Sequence, residues 1–132
     1  MNRPIPVAAG ILIRRDRILI CQRHHSDTYG LEWEFAGGKV REGESFEEAL
    51  ERELHEELGI RAEIGAEVFR LRHRYPDRHV EVAFFRVDRF RGKPRNQVFE
   101  AIAWVRRSEL ATYKFLEADG ELVERITRGE IV

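Results

Sequence analysis

At 132 residues the chain is long enough to bury one substantial hydrophobic core and too short for two, so residues 1–132 read as a single domain. Its composition is 42% hydrophobic and 36% charged, which excludes wholesale disorder. A formal net charge of −1 excludes the strongly basic surface that holds a polynucleotide through its phosphates, while local arginines still suit a small anion.

Taken in chain order, Val7 to Ile13 is almost wholly apolar and predicts a buried strand. The polar Arg14–Arg17 turn and the run Ile18–Cys21 complete a hairpin. His24 to Gly30 is polar and predicts a loop, followed by a short strand over Trp33–Phe35 and a backbone break at Gly37 and Gly38. The strongest helix signal covers Ser45 to Leu58. Ser45 with Glu48 three residues on makes a capping box, and Gly59 supplies the stop. Glu63–His73 and Val80–Val87 read as longer strands joined by the turn Tyr75-Pro76-Asp77-Arg78. A loop over Arg91–Gln97, a strand over Ala101–Val105 and a second helix over Glu117–Arg128 complete the chain. Strands with helices between them predict an α/β class, a mixed β-sheet covered by helices.

Cys21 is the only cysteine, so neither a disulfide framework nor a cysteine-rich zinc site is open to this chain. There is no run of about 20 apolar residues to span a membrane, and Met1–Pro6 lacks the pattern of a secretory signal. A cytoplasmic protein without a membrane partner, monomeric or homodimeric, is the expectation.

The helix over Ser45–Leu58 departs from simple amphipathicity. At about 100° per residue, Phe46, Ala49, Leu50 and Leu54 share one arc that should face the core. Glu47, Glu48, Glu51 and His55 fall opposite, where solvated charges belong. Glu53 and Glu57, however, lie in or beside the apolar arc and Glu56 at its edge. Their spacing of three and four brings the carboxylates within reach of one another. Like charges gathered toward a partly dehydrated interior need something positive. Magnesium, which takes carboxylate oxygens, waters and phosphates, is one answer; a salt-bridge network with Arg52 and nearby arginines is the other.

The wider spacing runs Gly38, five residues, Glu44, seven residues, Arg52-Glu53, Leu54, one residue, Glu56-Glu57, one residue, Gly59-Ile60. It matches the box of the Nudix hydrolases at each defined position, over residues 38–60. The resemblance implies a Nudix fold, with the mixed sheet sandwiched between helices in three layers, α/β/α. It also implies Mg2+, with Mn2+ as substitute, held by Glu53, Glu56, Glu57 and the Gly37 carbonyl oxygen. Arg52 would orient Glu53, Glu44 would tie the loop to the helix, and Glu53 would serve as general base, with Glu44 or Glu100 as alternatives.

Beyond the box, Trp33-Glu34-Phe35-Ala36-Gly37-Gly38-Lys39-Val40 resembles the MutT and CTP pyrophosphohydrolase subgroup, and Ala36 in place of the usual proline leans toward cytidine nucleotides. By the same likeness Arg23 and Lys39 belong to the substrate site, Arg23 at a phosphate. Arg78 would lie near the base and Asp119 at the place of a base-reading asparagine, with Phe35 and Tyr75 as candidates for stacking. Glu100 matches a metal-binding glutamate approximately. An ionised Asp119 only accepts hydrogen bonds, which suits the amino group of cytosine, whereas a protonated one could donate to an oxidised purine; as a plain helix N-cap it would read no base.

The implied activity is hydrolysis of a nucleoside triphosphate to the monophosphate and pyrophosphate, on CTP, dCTP or an oxidised nucleotide such as 8-oxo-dGTP, clearing the nucleotide pool. Other diphosphate-linked substrates, ADP-ribose, a dinucleoside polyphosphate or a capped nucleotide, share the group that the box grips. A non-catalytic nucleotide-binding module of the same fold is the reading least suited to a chain that keeps Glu53, Glu56 and Glu57.

Overall fold

The computed structural model describes residues 3–132. Strand β1 (Ile5–Arg14) runs through the middle of a seven-stranded mixed sheet. Along most of its length β1 pairs in parallel with β7 (Arg78–Val87), and its Val7–Ala9 stretch pairs antiparallel with β4 (Gly37–Lys39). At its far end it turns into β2 (Arg17–Gln22), which lies between β3 (Trp33–Glu34) and β9 (Ala101–Arg106). Strand β6 (Glu67–Tyr75) hairpins onto β7 and forms the other edge. A separate ribbon joins β5 (Arg61–Glu63) to β8 (Arg89–Arg91).

Both faces of the sheet are apolar because β1, β2 and β7 carry apolar residues at odd and even positions alike, the pattern of strands covered on both sides. Ala8, Leu12, Leu19, Cys21, Ala83 and Phe85 face α1 (Phe46–Leu58), whose Ala49, Leu50, Leu54 and Leu58 are fully buried. Ala9, Ile11, Ile18, Ile20, Val82 and Phe84 face the other way, onto Leu122, Val123 and Ile126 of α2 (Gly120–Thr127). Each buried leucine contributes about 1.5–3 kcal/mol of transfer free energy. This is the expected α/β/α sandwich.

Helix α1 begins and ends as its sequence predicts. Ser45 Oγ accepts from the Glu48 backbone N–H while Glu48 Oε1 accepts from that of Ser45, and Gly59 closes the helix in the left-handed conformation at φ 68°. Phe46, expected in the core, is only half-buried and lies under the Arg70 guanidinium at 4.6 Å.

Three predicted boundaries are corrected. Gly37 and Gly38 continue the sheet as part of β4, because β1 approaches so closely that a Cβ on Gly37 would lie 2.0 Å from the Ala8 carbonyl oxygen. The predicted Glu63–His73 strand is two strands. Gly65 leaves the ladder between them and donates its N–H to the Arg86 carbonyl, 2.9 Å away. The predicted helix over Glu117–Arg128 starts as a 3-10 turn, Glu117–Asp119, and becomes α-helical at Gly120.

Candidate active site

The pairing of β4 with β1 carries Gly37 and Gly38 under α1, and this contact assembles the cluster. Gly38 lies against the Glu53 carboxyl group so closely that a Cβ there would come within 2.4 Å of its carbon. The Gly37 backbone N–H donates to Glu57 Oε1 at 3.1 Å. Glycine at both positions therefore follows from close approach, of backbone in one case and of carboxylate in the other.

Arg52 organises the rest. Its Nε and Nη2 donate to the two oxygens of Glu44 at 2.7 and 3.0 Å, its Nη1 to Glu53 and Glu56, each at 2.9 Å, and its Nη2 also to the Lys39 carbonyl. The bidentate guanidinium holds the Glu44 carboxyl down at about 2, helped by the Arg41 backbone N–H. Thus the arginine network read as the alternative to a metal is present at Glu44, Glu53 and Glu56.

It does not reach Glu57. That side chain is partly buried and receives only the Gly37 N–H. Burial first, and the Glu53 charge second, push its pKa up to about 8. Three carboxylates, Glu44, Glu53 and Glu56, thus share the single central guanidinium of Arg52, Glu57 beside them has no cationic partner among the described residues, and Arg41 approaches only the exposed Glu56, at 3.9 Å. The surplus of oxygens and negative charge, together with a hard-donor set without sulfur or imidazole, fits a divalent cation of the magnesium type.

Beside this cluster opens a cleft of about 470 Å³, whose lining includes Gly37, Gly38, Lys39 and Glu57 of the cluster region together with Tyr75, Arg78, Ala118 and Asp119. Arg23 and Phe35 also line it. Arg23 Nη1 donates to Glu34 Oε1 at 3.1 Å, and its Nε donates to the Thr28 carbonyl. Phe35 is buried, stacked on Phe115 with ring centroids 5.4 Å apart. The guanidinium carbon of Arg78 stands 5.4 Å above the Tyr75 ring, and its buried Nε has no partner. Glu100 stands apart from the Arg52 network. Its Oε1 accepts from the backbone N–H and the Nδ1–H of His25 at 3.0 and 2.9 Å.

Asp119 corrects one reading. Its side chain makes no capping bond to α2, so it is not the N-cap that its position offers. It is buried and faces the cleft, where burial, reinforced by Glu34, raises its carboxyl group to about 8. The shift favours the protonated alternative, an acid with one donor and one acceptor, over an accepting-only carboxylate.

Sequence reasoning passed over Glu34, which lines the cleft beside Asp119 and is likewise raised by burial, with Arg23 opposing the shift. The signal was its place between Trp33 and Phe35 in a strand whose neighbours are apolar. Asp27, Val98 and Phe99 also line the cleft. They sit in loops without periodicity and carried no comparable signal.

A model of the NUDIX domain matches residues 4–126. The chain is 40% identical over 121 residues to a CTP pyrophosphohydrolase of Escherichia coli, covering 91% of this chain and 89% of that protein. It is 37% identical over 125 residues to an 8-oxo-dGTP diphosphatase of Haemophilus influenzae, covering 92% and 90%. Among solved structures, a MutT NUDIX hydrolase from Burkholderia pseudomallei superposes with a TM-score of 0.85 at 27% identity, covering 96% of this chain and 100% of that one. The E. coli ORF135 protein superposes with a TM-score of 0.84 at 36% identity, covering 93% and 88%. Fold, carboxylate cluster and sequence likeness over nearly the whole chain agree, and the protein belongs to the Nudix family.

Proposed function

We propose that this protein is a pyrophosphohydrolase of nucleoside triphosphates, converting NTP and water to NMP and pyrophosphate, with CTP, dCTP or 8-oxo-dGTP as substrate and nucleotide-pool clearance as its role. The observation that carries this reading is the adjacency of a carboxylate cluster with surplus negative charge to a cleft that presents the buried Asp119 and the partly buried Glu34. The first suits a diphosphate with its counter-ion, the second a nucleobase. The names of the two curated relatives support it.

Glu53, Glu56, Glu57 and the Gly37 carbonyl oxygen would hold Mg2+, or Mn2+ in its place. Such an ion neutralises phosphate charge and makes a water acidic enough to attack phosphorus at neutral pH. The chain's own groups do the rest. Arg52 holds Glu53 in one rotamer and is itself fixed by Glu44, so that Glu53 stays available to take the proton of the attacking water. Lys39 and Arg23 lie along the cleft where phosphates would run, and Arg23 would exchange its Glu34 contact for a phosphate oxygen. Arg78 and Phe35 line the same cleft and would border the base.

A neutral Asp119 offers a donor and an acceptor side by side, which pairs with the N3 acceptor and N4 amino donor of cytosine and equally with the O6 acceptor and N7–H donor of 8-oxoguanine. Unmodified guanine presents only acceptors on its O6/N7 edge and is matched less well there. Initial rates for CTP, dCTP, 8-oxo-dGTP, dGTP, ADP-ribose and a dinucleoside tetraphosphate, with products separated by chromatography, test the reading. Release of pyrophosphate from the first three is the expected result; turnover of ADP-ribose or the dinucleotide alone would overturn it.

A further inference from the structure

A second group of metal-ligating side chains lies outside the cleft lining. His24 and His25, at the start of the loop after β2, meet Glu100, the last residue before β9. One ligand atom from each lies within 4.8 Å of the other two. The imidazole rings stand 4.3 Å apart, tilted by 33°. His25 Nδ1 is 2.9 Å from Glu100 Oε1.

Two ligands of one zinc-type ion, each bound at about 2.0–2.1 Å, stand roughly 3.0–3.4 Å apart. An ion replacing the proton shared by His25 and Glu100 therefore asks little movement of that pair. His24, whose Nδ1 lies 2.7 Å from Ser26 Oγ, offers a ring nitrogen within 4.8 Å of both ligand atoms. The backbone is already braced. His25 N–H donates to Glu100 Oε1, Asp27 N–H to the His24 carbonyl, and Glu100 N–H to the Gln22 carbonyl, at 2.9–3.0 Å.

The donor chemistry differs from that beneath α1. Two imidazoles and one carboxylate favour Zn2+, Co2+ or Ni2+ over Mg2+, whereas the all-oxygen cluster favours the reverse. We propose that His24, His25 and Glu100 form a separate site for a transition-metal ion of the zinc class. The ion would join two loops that both wall the cleft: one carries Asp27, the other Val98 and Phe99. Bound there, it staples the cleft's mouth.

The experiment titrates full-length, metal-free protein with Zn2+ by calorimetry in millimolar Mg2+, and with Co2+ by visible absorption. Wild type takes up one equivalent of Zn2+ that Mg2+ does not displace, and Co2+ develops ligand-field bands with imidazole ligation. His24→Ala/His25→Ala weakens this uptake at least about tenfold and keeps its Mg2+-dependent activity, which shows that it is folded. Glu53→Gln/Glu57→Gln, with an unchanged circular-dichroism spectrum, retains the equivalent. Uptake unaltered by loss of both histidines, uptake lost with the two glutamates, or no Zn2+ uptake in the presence of Mg2+ would each overturn the proposal.

Discussion

Arg52 gives the site its logic. Its guanidinium spans Glu44, Glu53 and Glu56 and a backbone carbonyl, a planar fork that a lysine could not reproduce. It positions the carboxylates without neutralising them. Glu53→Gln should leave the fold intact and lower kcat by about 10²–10⁴-fold, the span for loss of a general base; activity near wild type in a steady-state assay would remove Glu53 from that role. Asp119 yields a prediction in pH. Its carboxyl lies at about 8 in the folded chain against an ordinary 3.8, so the folded state binds the proton more tightly than the unfolded one. Its contribution to stability is fully present below about pH 4 and is lost as pH rises through about 8. Asp119→Asn, which cannot ionise, should therefore gain stability relative to wild type as urea midpoints are compared from pH 5 to pH 9. In wild type the same ionisation removes the donor that faces N3 of cytosine or O6 of 8-oxoguanine, so turnover of CTP and of 8-oxo-dGTP should both fall across that range, while an Asp119→Asn variant should show no such fall.

Helix α1 and strand β4 work as a pair. The helix was legible because its signals are local: the Ser45–Glu48 box, the apolar arc, the Gly59 stop. Ser45→Ala should cost about 1 kcal/mol of unfolding free energy through its orphaned N–H group. Strand β4 was not legible, since Gly37-Gly38-Lys39 has no strand propensity and forms only because β1 offers an edge. Gly37→Ala should accordingly destabilise by at least about 1–3 kcal/mol, because the added methyl group meets a carbonyl oxygen and the backbone sits at a φ of 155° that disfavours a side chain. A denaturation midpoint unchanged by that substitution would contradict the packing described here.

Over the molecule as a whole, the carboxylate surplus ties stability to cation binding. Saturation with Mg2+ at a hundredfold excess over Kd should add about 2.7 kcal/mol to the unfolding free energy, and Glu53→Gln/Glu57→Gln should abolish that gain; thermal melts with and without Mg2+ measure both. The box residues and the layered α/β architecture could be read from the chain because each rests on short-range regularities: spacings of three and four along one helix, apolar runs in β1, β2 and β7, caps at defined offsets. The state of Asp119, the presence of Glu34 at its side and the meeting of His24 and His25 with Glu100 could not. They depend on which residues distant in sequence the fold brings together, and that meeting, like the exclusion of water around Asp119, is a property of the tertiary structure rather than of any local pattern. An aspartate at a helix start looks like a cap in the sequence. It becomes a buried acid because the cleft closes around it and its carboxyl group is withdrawn from α2.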